Sequence, residues 1–142
     1  MSGLHPRNLL VPIDFSDLAI GVLDKAIEIA GDQGKVHAMH VLADMGVVDP
    51  VAMYENISNE SRIENIERVM RERLADPKYA NLLIHVAIGD PGFEIAEYAK
   101  QQIVDLIVIS SHDYGFLKHL LLGSVAERIV RLAHCPVLVL RT

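Results

Sequence analysis

Five short runs rich in branched aliphatic residues punctuate this chain, and the clearest of them are apolar from end to end. The runs are Asn8–Ile13, Lys35–Val41, Leu82–Ala87, Leu106–Ser110 and Val137–Arg141. Leu-Leu-Val-Pro-Ile and Leu-Ile-Val-Ile show no polar alternation, as expected of strands in a parallel sheet covered on both faces. Four segments of helical period lie between the runs. After Ser16, a candidate N-cap, the residues Leu18, Ala19, Val22, Leu23, Ala26, Ile27 and Ala30 form one stripe that Gly31 ends. Ile63, Ile66, Val69, Met70 and Leu74 repeat similarly from roughly Asn59 to Ala75. A third helix opens after Gly89-Asp90-Pro91, with Asp90 as cap and Pro91 at the first position. A fourth runs from Ser124 to about His134, with Val125, Ile129, Val130 and Ala133 facing inward, and Pro136 forbids its continuation. The order β-α-β-α-β-α-β-α-β predicts a doubly wound, five-stranded parallel sheet flanked by four helices, with residues 1–142 forming a single domain.

Composition narrows the partners. With 51% hydrophobic and 23% charged residues, 142 residues suffice for one sizeable core. The net charge is −6 and no run of Lys or Arg forms a basic stripe, which argues against nucleic acid and anionic membrane as primary partners. The lone cysteine, Cys135, permits no intramolecular disulfide. The segment Met1–Asn8 lacks a signal peptide's apolar core, and no apolar run approaches the ~20 residues that span a bilayer. A cytoplasmic protein is expected.

In such a sheet, ligands sit beyond the carboxyl ends of the strands, where strand order reverses. The residues to examine are therefore Pro12–Ser16, His40–Asp44, Ala87–Asp90 and Ser110–Gly115. Asp14 has two readings: an acceptor for ligand N–H or hydroxyl groups, or an Asx turn at the first helix. Gly123-Ser124 opens the fourth helix, where backbone N–H groups and the positive dipole end favour an anion; the same pair is also an ordinary cap. His40 and His112 both end strands near this cleft. The seven histidines suggest no metal site, since His37 and His40 fall on opposite faces of a regular strand. His112, Asp113 and His119 are closer together in sequence, but the sequence does not fix the conformation of their loop. No nucleophile elbow appears, and neighbouring His134 and Cys135 read as packing, so no catalytic residue is assigned. The stretch Leu42–Asn56, with Gly46, Pro50, Met45 and Met53, has no clear period and reads as a lid, an adaptable surface or a solvated connection.

Several of these pieces resemble the universal stress protein family of the UspA kind, in order along nearly the whole chain. They are Val11-Pro12-Ile13-Asp14-Phe15-Ser16, His40-Val41, Ile88-Gly89-Asp90-Pro91, Leu120 to Val130 and Cys135-Pro136-Val137-Leu138-Val139. The resemblance implies an adenine nucleotide α-hydrolase-like fold. It also implies an antiparallel homodimer through Val137–Leu140, a role in stress response and contacts with a protein partner. The family's ATP-binding branch carries a G-x2-G-x9-G-[ST] loop. Its last pair falls on Gly123-Ser124, but its first two glycines fall on Ser110 and Asp113. By the resemblance, Pro12, Asp14 and Val41 surround adenine and ribose, and the N–H groups near Ser124 and Val125 hold phosphate. Ser110 is small and brings a hydroxyl. Asp113 brings charge: a carboxylate ~4 Å from a phosphate costs roughly 1–4 kcal/mol between water and a protein-surface dielectric. A Mg²⁺ ion bound by Asp113 would reverse that sign. The expectation is weakened or absent ATP binding. The alternative is an adenine-nucleotide binder with slow ATP hydrolysis or autophosphorylation.

Overall fold

The computed structural model describes residues 5–44, 58–111 and 123–141. Five strands, β1 (Asn8–Pro12), β2 (Lys35–Leu42), β3 (Leu83–Ile88), β4 (Leu106–Ser110) and β5 (Val137–Leu140), form one sheet in the order β3-β2-β1-β4-β5. Every pairing is parallel. Among the described residues four helices, α1 (Asp17–Ala30), α2 (Asn59–Arg73), α3 (Pro91–Gln101) and α4 (Ser124–Leu132), alternate with the strands. The doubly wound sheet read from the sequence is the fold observed.

The two faces explain why the strands lack polar alternation. Leu9, Val11, Ala38, Val86 and Val108 pack on one side with Val22, Leu23 and Ala26 of α1 and Met70 of α2. Leu10, Met39, Ile107 and Ile109 pack on the other with Ile95 and Ala99 of α3 and Ala126 and Ile129 of α4. Ten of the largest of these side chains are exposed by less than 2%, each worth roughly 1.5–3 kcal/mol of transfer free energy.

The helix boundaries follow the caps. The Ser16 side chain accepts from Ala19 N–H at the start of α1, and Gly31, at φ 67°, closes it with its N–H on the Ile27 carbonyl. Asp90 accepts from Phe93 N–H, and Pro91 takes the first position of α3. One element has no period to betray it: a single 3₁₀ turn at Pro77–Tyr79, anchored by Tyr79 O–H donating to Asp24 of α1 at 2.6 Å. One expectation is corrected. Val125 and Val130 do not face the core; they are 40% and 45% exposed, and only Ala126 and Ile129 of α4 are buried. At about 100° per residue, the two valines flank the covered stripe on either side rather than lying on it.

Candidate functional site

Between β1 and β4 the strand order reverses, and a cavity of about 240 Å³ opens there, at the carboxyl ends of β1, β2 and β4. Six of the eight candidate nucleotide-binding residues line it together: Pro12, Asp14, Val41, Ser110, Gly123 and Val125. Ser124 is exposed at the first turn of α4, outside the lining. Asp113, His112 and His119 lie outside the described residues, as does most of Leu42–Asn56. The apolar floor was not anticipated. Met39, Ile95, Ile109, Ala126 and Ile129 serve both as core and as cavity wall, and core residues carry no sequence mark of that second role.

The β1–α1 turn forms one wall. Asp14 Oδ1 accepts from Ser16 N–H at 3.0 Å and from Ser16 O–H at 2.6 Å, while Ser16 Oγ in turn accepts from Ala19 N–H at 3.1 Å. Asp14 thus makes the Asx turn and also borders the cavity. Between Asp14 and Ser16, Phe15 sits at φ 68°, in the left-handed region that bulky residues rarely hold. Its ring lies 4.7 Å from that of His40, tilted by 48°. Arg73 of α2 donates to the Phe15 carbonyl at 3.2 Å, with its guanidinium 6.0 Å from the ring centre. His40, which lines the cavity, bonds through Nδ1 to the Ile13 carbonyl at 2.6 Å. A carbonyl only accepts, so Nδ1 carries the proton. The positive φ of Phe15 and the part played by Arg73 were not legible in the sequence, because a backbone dihedral and a contact across 58 residues leave no local pattern.

The opposite wall is built by helix termini. Gly123, buried, is the N-cap of α4 and brings no side-chain oxygen to the helix start. Arg128, one turn on, donates from Nε to Asp90 Oδ2 at 2.7 Å and ties α4 to the N-terminus of α3. The Arg128 hydrogen bond, then that from Phe93 N–H, hold the Asp90 carboxyl below its usual range. Among the described residues no group of three or more His, Cys, Asp or Glu could hold a metal ion, and no helix is long and apolar enough to cross a membrane.

A second polar cluster lies near the other end of the sheet. Asn8 Nδ2 donates to the carbonyls of Gln102 and Ile103, at 2.8 and 3.1 Å, which turns its Oδ1 toward His37 Nε2 at 2.7 Å. His37 Nε2 therefore carries the proton, and Nδ1 accepts from Tyr98 O–H at 2.8 Å. The Tyr98 ring stacks on His85 with centroids 4.4 Å apart. Burial, then the charges of Lys35 and His85, lower the pKa of His37, and burial lowers that of His85.

Comparison with known proteins decides the family. The model of the "Universal stress protein family" matches residues 6–141. The chain belongs to the universal stress protein family. Among its curated relatives in that family is universal stress protein YxiE of Bacillus subtilis, 32% identical, with 95% of this chain and 99% of YxiE covered. Among solved structures, protein MJ0577 of Methanocaldococcus jannaschii superposes with a TM-score of 0.77 at 25% identity, covering 97% of both chains. The universal stress protein of Archaeoglobus fulgidus solved in complex with dAMP shares the fold at 21% identity and a TM-score of 0.67, over 95% of this chain and 98% of its own.

Proposed function

We propose that this universal stress protein binds an adenine nucleotide in the cavity between β1 and β4, acts as a homodimer in stress response, and holds a triphosphate weakly. The carrying observation is the convergence of Pro12, Asp14, Val41, Ser110 and Gly123 on one cavity at the point where strand order reverses. An apolar floor under a carboxylate-bearing rim suits a purine and its ribose. The helix start at Gly123 supplies the positive dipole end for phosphate. The dAMP complex of the A. fulgidus protein agrees with this reading through the fold alone. Weak ATP affinity follows from Ser110 and Asp113 at the positions of two loop glycines. The dimer reading is supported by β5, which forms an edge of the sheet and whose backbone invites a second copy.

Calorimetry with AMP, ADP and ATP, each with and without Mg²⁺, tests the reading. AMP should bind, and ATP without Mg²⁺ should bind no more tightly than AMP. No binding of any of the three would remove the nucleotide reading, and metal-free ATP bound far more tightly than AMP would remove the weakened loop. Asp113→Gly should strengthen metal-free ATP binding by roughly tenfold to several-hundredfold, the Coulomb range for a carboxylate beside a phosphate. Unchanged affinity would refute the charge argument.

A further inference from the structure

The turn that carries Asp14 is held in a conformation its own sequence disfavours. Phe15, at φ 68°, adopts a geometry that bulky L-residues keep only where their surroundings impose it. His40 holds the chain two residues before Phe15, through the Ile13 carbonyl, and lays its ring against Phe15. Arg73 fixes Phe15 itself, through its carbonyl at 3.2 Å and across its ring. Arg73 is exposed and does not line the cavity. Phe15 separates Asp14 from the cap Ser16, so its φ sets how the Asp14 carboxylate stands relative to the start of α1.

We infer that Arg73 is a positioning residue: it holds the Phe15 turn so that the Asp14 carboxylate meets the ribose hydroxyls of the bound nucleotide. The inference rests on the nucleotide reading above and adds to it a residue from α2 that touches no ligand. Without Arg73, conformations with negative φ become the more favourable ones for Phe15, and the Asp14 carboxylate moves with them. Glycine at position 15 holds positive φ without a side-chain penalty. The dependence on Arg73 therefore disappears when Phe15 is replaced by Gly.

The test is titration calorimetry of the full chain with adenosine and with 2′,3′-dideoxyadenosine, which lacks both ribose hydroxyls. The wild type should prefer adenosine by roughly tenfold or more, the worth of a hydrogen bond to a charged group. Arg73→Ala should lose most of that preference through weaker adenosine binding, with dideoxyadenosine affinity unchanged. Phe15→Gly combined with Arg73→Ala should recover it. An Arg73→Ala protein that keeps the preference, or that loses affinity for both compounds equally, overturns the inference. So does a wild type that binds both compounds alike, although the nucleotide reading then still stands. A wild type that binds neither compound removes that reading and this inference together.

Discussion

Ile103, in the turn between α3 and β4, holds φ at 54° with its side chain 81% exposed. A β-branched residue is poorly suited to the left-handed region, and so exposed a side chain gains almost nothing from burial there. Asn tolerates this backbone through its short polar side chain. Ile103→Asn should therefore raise unfolding stability by about 1 kcal/mol, read as a higher urea midpoint with unchanged m-value, whereas Ile103→Val should leave the midpoint where it is. Phe15 shares the backbone region but not the prediction, because its ring and carbonyl are held by His40 and Arg73. Neither conformation shows in a sequence. Gly31 announces a positive φ by its identity; Phe15 and Ile103 hold theirs against their own preferences.

The elements were legible wherever the signal is local. Ser16 and Asp90 act as the caps they resemble, and the apolar runs around Leu9 and Val108 became strands because helices cover both faces. The candidate site was half legible. Its rim stands at strand and helix ends, which sequence marks with Pro, Asp and Gly, while its floor is ordinary core. The cluster of Asn8, His37, Tyr98 and His85 was not legible, because it joins β1, β2, α3 and β3 by contacts up to 61 residues apart. Its consequence is a pH dependence. Burial favours the neutral rings of His37 and His85, so both titrate below 6.5 in the folded chain. Lys35 also disfavours charge on His37, while Glu67 and Glu94 partly offset the effect of burial on His85. As pH falls, the unfolded chain binds protons first. Stability is therefore complete above about 6.5 and declines as pH drops through the folded-state values. Protonated His37 would also direct a second N–H at a hydroxyl that now donates to it. The urea midpoint should fall between about pH 7.5 and 5.5, and His85→Gln should fall less.

At the scale of the molecule, the proposed dimer makes a specific demand on β5. The N–H groups of Ile107 and Ser111 donate to the carbonyls of Pro136 and Leu140, at 3.0 and 2.9 Å. Even-numbered residues of β5 thus turn their backbone toward β4, and Val137 and Val139 turn theirs away from the sheet. Val139→Pro removes one outward donor and leaves the ladder with β4 intact, which an edge strand tolerates. In light scattering the wild type should have the mass of a dimer and Val139→Pro that of a folded monomer, the latter confirmed by an unchanged circular-dichroism spectrum. A wild-type monomer at high concentration would end the dimer reading. The strand order has a different consequence, one that concerns synthesis. β1 leaves the ribosome first yet ends in the middle of the sheet, and its link to the β4 side, Asn8 N–H to the Asp105 carboxylate, spans 97 residues. At ~5–20 residues per second, one flank of the nascent β1 stays open for roughly 5–20 s. The cavity takes walls from both sides of that flank, so it takes shape only after β4 and α4 have joined β1.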